Sequence, residues 1–304
     1  MSAASTSGIS TSSLLGIRIG WHRRKRILTT TRRTLSYLLV CALSVVFALP
    51  LYWAVATSLK TEQQLAMVPP EWVPNPVDWA NYAEALSSPT RPFLSAFQNT
   101  LMYTLVAGFG VIVSSALVAY GFSRLDFDGR NILFVLVLCT MMLPSQVTLI
   151  PQYLVFRTLG WLDSFKPLIV PAYFGSAYYI FLLRQFYLTL PRELDEAALI
   201  DGASHLTIFR RIILPLSTPI LVTVAAFTFI AHWNDFFGPL IYLDSMSNYV
   251  LSQWLALFRV DSSHLRIDYL MAGSVVSVIP IILVFLQCQR YFITGITMSG
   301  LREG

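Results

Sequence analysis

The sequence predicts an all-α integral membrane protein with six transmembrane helices. Three observations carry this. The 304 residues are 55% hydrophobic and 12% charged, with a mean hydropathy of +0.62, whereas soluble domains carry about 25% charged residues. Six apolar runs divide the chain, at Leu35–Ala56, Leu101–Phe122, Ile132–Ile150, Leu168–Leu183, Ile212–Ile230 and Tyr269–Leu286; a helix needs about 20 such residues to cross a hydrocarbon core of about 30 Å. The basic residues collect at the ends of these runs, so the net charge of +5 does not point to nucleic acid.

Taken in order, residues 1–34 are Ser/Thr-rich and then basic, with Arg18, Arg23, Arg24, Lys25, Arg26, Arg32 and Arg33 and no acid. This predicts a disordered cytoplasmic tail held near anionic membrane lipid. Residues 35–58 form the first span. Ala54-Val55-Ala56 resembles a signal-peptide cleavage site, but the run exceeds the 7–15 residues, roughly, of a signal core. Residues 59–92 hold Pro69, Pro70, Pro74, Pro76, Trp72 and Trp79 and predict an external loop with interfacial aromatics. Gly108, Gly110, Ser114 and Ser115 in the second run permit close helix packing. Residues 124–130 predict a charged turn. Pro144 breaks the third run, and Pro171 and Gly175 the fourth. Plain kinks are the expected effect, with discontinuous helices lining a cavity as the alternative. Phe236–Asp268 is mixed and predicts a re-entrant or surface segment. A core domain of five helices thus spans 93–290, and 291–304 is a second cytoplasmic tail. Cys41, Cys139 and Cys288 all fall in apolar segments, which argues against a disulfide framework and a metal site.

Orientation follows from Lys and Arg. With both termini inside, fifteen of the 21 lie in inner segments and six in outer ones. The positive-inside rule therefore puts Pro191–Pro215, between the fourth and fifth runs, in the cytosol.

That stretch, PRELDEAALIDGASHLTIFRRIILP, is a polar island in an apolar chain. Pro191 suits a first helical turn. Glu193, Asp195 and Glu196 follow, where the helix dipole favours acids. Leu194, Ala197 and Ala198 give a narrow apolar side, and Asp201-Gly202 is a stop signal. Leu206, Phe209 and Ile213 then recur at helical spacing. The chemistry alone fits an amphipathic hairpin lying on the bilayer as well as one facing another protein.

The spacing adds a resemblance. Glu196-Ala197-Ala198, three residues, Gly202, nine residues, Ile212, one residue and Leu214-Pro215 resembles the coupling loop of the permease subunits of binding-protein-dependent ABC importers. The resemblance implies a type I ABC importer permease fold. It implies that Arg192–Ser204 docks on an ATP-hydrolysing subunit and passes its closure to the membrane helices. The residues it marks are Glu193, Asp195, Glu196, Ala197, Ala198, Asp201, Gly202, Phe209, Ile212, Leu214 and Pro215. Asn99-Thr100, Trp233-Asn234-Asp235 and Gln289-Arg290-Tyr291-Phe292 with Gly295 and Thr297 are similar to the carbohydrate-importer group, the kind resembling the maltose permease's smaller membrane subunit. The ending Met298-Ser299, Leu301-Arg302-Glu303 departs from that group. The implied partners are a second homologous permease subunit, two ATP-binding subunits and an extracytoplasmic solute-binding protein. ATP and Mg would sit on the ATPase, because this chain has no glycine-rich phosphate loop.

Candidates for the solute path are Asn99, Gln146, Asn234 and Asp235. Each has a plainer reading: interhelical hydrogen bonding for Asn99 and Gln146, a solvated or helix-ending role for Asn234 and Asp235. Tyr173, Tyr178 and Tyr179 fit sugar stacking or an interfacial belt, and His232 a packed position. Three functions compete. The first is an ATP-driven importer of a sugar or sugar-like solute. The second is an ion-gradient-driven secondary transporter, which needs intramembrane carboxylates where only Asp235 comes near. The third, a membrane enzyme, lacks any paired acid, metal or nucleophile set.

Overall fold

A computed structural model describes the backbone of residues 11–260 and 266–300, and the side chains of 31–144, 146–258 and 266–291. Its regular structure is entirely helical among these residues. The chain divides into two units, Met1–Ala56 and Thr57–Gly304.

The first unit is carried by α1 (Thr11–Ser58), whose apolar segment Thr31–Ser58 is long enough to cross a membrane. Residues 11–34, within the stretch expected to be a tail, continue the span's helix. Its Leu, Arg and Lys are good helix formers, and no proline interrupts before Pro50. Residues 1–10 lie outside the described part.

The second unit begins with an ordered version of the predicted external loop. It contains α2 (Glu62–Leu65), closed by a Thr61–Gln64 capping box, and α3 (Ala80–Ser87). The Asn81 amide donates to Ser58 O at 3.1 Å and Lys60 O at 2.8 Å, closing the loop on itself.

The axis of the unit is α4 (Phe93–Arg124), 32 residues long. There follow α5 (Arg130–Thr140), α6 (Ser145–Thr158) and α7 (Lys166–Ile169). A 3₁₀ turn (Val170–Phe174) leads into α8 (Ala177–Tyr187) and then α9 (Glu193–Ile200). Next come α10 (His205–Ile208), a π-helical stretch (Phe209–Ile213), α11 (Leu214–Leu216) and α12 (Thr218–Trp233). The chain ends through α13 (Phe237–Tyr242), α14 (Leu251–Val260) and α15 (Ile267–Gly300). α4 packs against α8, α12, α14 and the 3₁₀ turn. Its small residues do what their size suggests. A Cβ on Gly110 would lie 2.6 Å from the Tyr173 ring, and one on Gly108 3.5 Å from Thr228. Ser115 accepts from the Ser176 amide at 3.1 Å.

The six predicted runs do not become six continuous helices. Among the described residues, four segments are long and apolar enough to cross a membrane: Thr31–Ser58, Phe93–Arg124, Lys166–Tyr187 and Ile267–Tyr291. A fifth is a pair, His205–Leu216 and Thr218–Trp233, bent by 78°. The third run is split at Pro144, which is extended (ψ 133°) between α5 and α6. Pro144 therefore interrupts rather than kinks, since proline lacks the N–H the ladder needs. The fourth run passes through the 3₁₀ turn to Gly175 at φ +86° before α8 resumes. The fifth run bends at Ser217, so Ile212–Leu216 belongs to the hairpin arm and the span proper starts at Thr218. The mixed segment 236–268 supplies the short helices α13 and α14. The backbone of the predicted C-terminal tail continues α15 to Gly300, and residues 301–304 are outside the described part.

Candidate functional site

The Pro191–Pro215 island folds as a helical hairpin. α9 opens with Glu193, Asp195 and Glu196 in its first turn and ends in a Schellman motif. Ala203 N donates to Ala198 O at 2.9 Å and Gly202 N to Leu199 O at 3.0 Å. Gly202 stands at φ +81°, a conformation that disfavours side chains, with open space where a Cβ would go. Ser204 then caps the return arm, accepting from Thr207 N at 3.3 Å.

The hairpin has two faces. Its inner face enters an apolar core formed by Ala116, Ala119, Tyr120, Leu183, Tyr187, Ile208, Phe209, Ile213 and Val224. Ala198, Ala203, Ile212 and Leu214 pack on the same core, half-buried. Phe209 is 5% exposed, its ring centroid 5.1 Å from that of Tyr120, and the Tyr120 hydroxyl donates to His205 O at 3.2 Å. The outer face presents Glu193, Glu196, Ala197, Asp201, Gly202 and Pro215. Among them stand Leu194, Leu199, Leu206 and Ile200, the last 87% exposed.

Asp195 separates from the other acids. It turns inward and pairs with Arg124 at 3.1 Å, the two side chains 15% and 3% exposed. Arg124 also donates to Tyr187 O at 2.6 Å and Leu190 O at 2.9 Å, closing the end of α8. The sequence assigned Arg124 to a charged turn. The structure makes it the last residue of α4 and buries it. Its one visible signal is its place directly after an apolar run.

The solute-path candidates are only partly gathered. The Asp235 carboxylate accepts from the Tyr103 hydroxyl at 2.9 Å through Oδ2 and from Gly238 N at 3.1 Å through Oδ1. The Ser252 hydroxyl donates to Asp235 O at 2.6 Å. The Asn99 amide donates to Ser247 O at 2.8 Å and Tyr249 O at 3.0 Å. Asn234 is exposed and caps α12 through Ile230 O at 2.9 Å. Gln146 is exposed in the first turn of α6, and none of the described hydrogen bonds joins it to the other three. His232 is packed, its ring centroid 5.3 Å from that of Tyr103.

One polar knot has no counterpart in the sequence reading. Asp163, at φ +54°, accepts from Asp244 N at 3.0 Å, Ser245 N at 2.9 Å, Asn248 Nδ2 at 3.0 Å and the Ser245 hydroxyl. The Ser245 hydroxyl, then its amide and the Asn248 amide, hold the Asp163 carboxyl below the usual carboxylate range.

Residues 110–297 match the family described as "Binding-protein-dependent transport system inner membrane component". The chain is 33% identical over 263 residues to the probable ABC transporter permease protein YurM of Bacillus subtilis, with 85% of each chain covered. It is 32% identical over 262 residues to the arabinooligosaccharides transport system permease protein AraQ of the same organism, covering 86% of this chain and 92% of AraQ. Its fold is that of a chain in a bacterial ABC transporter involved in the import of the acidic polysaccharide alginate, with a TM-score of 0.76 at 22% identity over 94% of this chain and 100% of that one. On a family match across more than half of its length, and relatives about one-third identical over most of it, this chain belongs to the binding-protein-dependent transport system inner membrane components, the permeases of ABC transporters.

Proposed function

We propose that this permease passes a sugar or sugar-like solute, delivered by an extracytoplasmic binding protein, and that its hairpin docks on an ATP-hydrolysing partner. The carbohydrate named for AraQ and the polysaccharide named for the alginate importer support the solute class. The two-faced hairpin carries the docking. Glu193, Glu196 and Asp201 stand outward beside Leu199 and Ile200, while Ala198, Phe209 and Ile213 are rooted between membrane helices. Leu194, Leu199, Ile200 and Leu206, all exposed on one short hairpin among its acids, suit a covered surface better than an open one.

In this reading both termini and the hairpin face the cytoplasm, as the distribution of Lys and Arg supports. A second, related permease subunit and two ATPases complete the transporter. ATP and Mg are handled by the ATPases. Closure of the ATPase pair moves the hairpin, and the spans rock between outward and inward openings. The family assignment makes the chain a transport subunit rather than an enzyme, and sets aside the ion-gradient-driven alternative.

Deletion of this gene is expected to abolish uptake of one or more radiolabelled oligosaccharides from a panel that includes arabino-oligosaccharides. Uptake in the parent strain should stop on ATP depletion and survive a protonophore while ATP is maintained. Uptake that survives deletion for every sugar and polyol tested would contradict the solute class.

A further inference from the structure

The hairpin's apolar face alone does not explain how its movement reaches the far side of the molecule. Apolar packing is non-directional and lets surfaces slide. Directional bonds set register. α4 makes them to the 3₁₀ turn and Ser176 in its middle, through Ser114 and Ser115, and to the hairpin and the segment after α12 toward its two ends. That helix runs 32 residues without a proline, about 48 Å at 1.5 Å per residue.

At one end Arg124 holds Asp195 of α9 at 3.1 Å and two carbonyls, that of Tyr187 at the end of α8 and that of Leu190 just beyond it, at 2.6 and 2.9 Å. With side chains 3% and 15% exposed, the pair has little water to exchange with. The planar guanidinium reaches three acceptors at once, which a lysine ammonium on a flexible stem does not do in fixed geometry. At the other end Asn99 holds Ser247 O and Tyr249 O at 2.8 and 3.0 Å. Thr100 Oγ1 accepts from Leu251 N at 2.8 Å, and Tyr103 donates to Asp235 at 2.9 Å. One uninterrupted helix therefore grips the hairpin at Tyr120, which donates to His205 O at 3.2 Å, and at its last residue, which alone does so by an ion pair, and the segment Asp235–Leu251 at its first turns.

We propose that Arg124 is the positioning residue of the coupling hairpin: its ion pair with Asp195 ties α9 to α4, so that displacement of the hairpin is delivered to the segment Asp235–Leu251. The proposal rests on the functional reading above. It goes beyond that reading by naming the joint and the rod.

The test uses the whole transporter in membrane vesicles, with Cys41, Cys139 and Cys288 replaced and Ser247→Cys as the sole reporter. Ser247 is exposed, and only its backbone oxygen is engaged by Asn99. Maleimide labelling is timed with and without ATP plus vanadate. With Arg124 and Asp195 intact, trapping should change the labelling rate at least threefold. In R124Q and in D195N that change should vanish, the double variant should be no worse than either single one, and R124K should recover part of it. In inside-out vesicles, trypsin should cut at Arg192 at least tenfold faster in R124Q and D195N. An unaltered nucleotide response in both single variants overturns the proposal. So does a double variant whose loss is the product of the two single losses. Disappearance of R124Q, D195N and R124K alike from the membrane assigns the pair to folding alone and also overturns it. A reporter chain with intact Arg124 and Asp195 but no nucleotide response sinks the docking reading, and this proposal with it.

Discussion

Gly202 and Arg124 stand at opposite limits of what a residue announces. Gly202 follows an acid after an apolar helical face, and the sequence predicts a helix stop there. The structure supplies that stop as a Schellman turn at φ +81°. With nothing within 4 Å of a would-be Cβ, the requirement is conformational and not spatial. Gly202→Ala should weaken the turn by about 1–2 kcal/mol of left-handed strain and only reduce uptake. Gly202→Trp carries the same strain and adds an indole to the outer face, so its uptake per inserted molecule should fall at least tenfold further. Equal uptake by the two variants would show that the face is not covered. Arg124 could not be found this way. A charge after an apolar run reads as interfacial, and its acceptors lie in α8 and α9, far along the chain. Asp235 was legible as a polar residue just past a helix end, but not its bonds to Tyr103 and to Gly238 N of α13, which depend on how α4 packs beside the end of α12.

Elements follow composition less faithfully than residues follow local rules. Apolar runs mark which segments sit in hydrocarbon, and the four candidate spans were visible on that ground. Where a run breaks depends on neighbours that can satisfy the freed backbone groups. Pro144 therefore separates two helices, whereas Pro280 stays inside α15 without dividing it. The 78° bend at Ser217 likewise settles the overlap between the fifth run and the island, leaving Ile212, Leu214 and Pro215 with the hairpin arm. Close approach of elements was legible for Gly108 and Gly110 but not for Gly273 of α15. A Cβ there would lie 2.3 Å from the Trp254 ring. That ring is 1% exposed, wedged between Phe93 and Phe258 at 5.0 and 4.7 Å, and donates to Arg91 O at 3.0 Å. It has no room to retreat. Gly273→Ala should destabilise the packing of α14 on α15 by about 1–3 kcal/mol. In detergent this should appear as a lowered thermal midpoint; a midpoint equal to that of the unaltered chain would mean the two helices fit more loosely than the structure shows.

For the molecule as a whole, composition and run length were enough to read an all-α membrane protein, and one motif was enough to read the family. Neither could show that the motif is divided between two jobs. Ala198, Phe209, Ile212 and Leu214 root the hairpin in the core, Asp195 ties it to α4, and Glu193, Glu196, Ala197, Asp201 and Gly202 remain outside. That division arises only when α4, α8 and α12 come together around the hairpin. On the proposed function, the outer face is where an ATP-hydrolysing subunit pulls. This is tested most directly by Ile200→Cys in a chain cleared of its three cysteines, with a short thiol-to-amine cross-linker applied to intact transporter in inside-out vesicles. The expected result is a cross-link to an ATP-hydrolysing chain, with a yield that changes when nucleotide is trapped. A residue that labels only from outside the cell, or that captures no ATP-hydrolysing chain while uptake is intact, would contradict it.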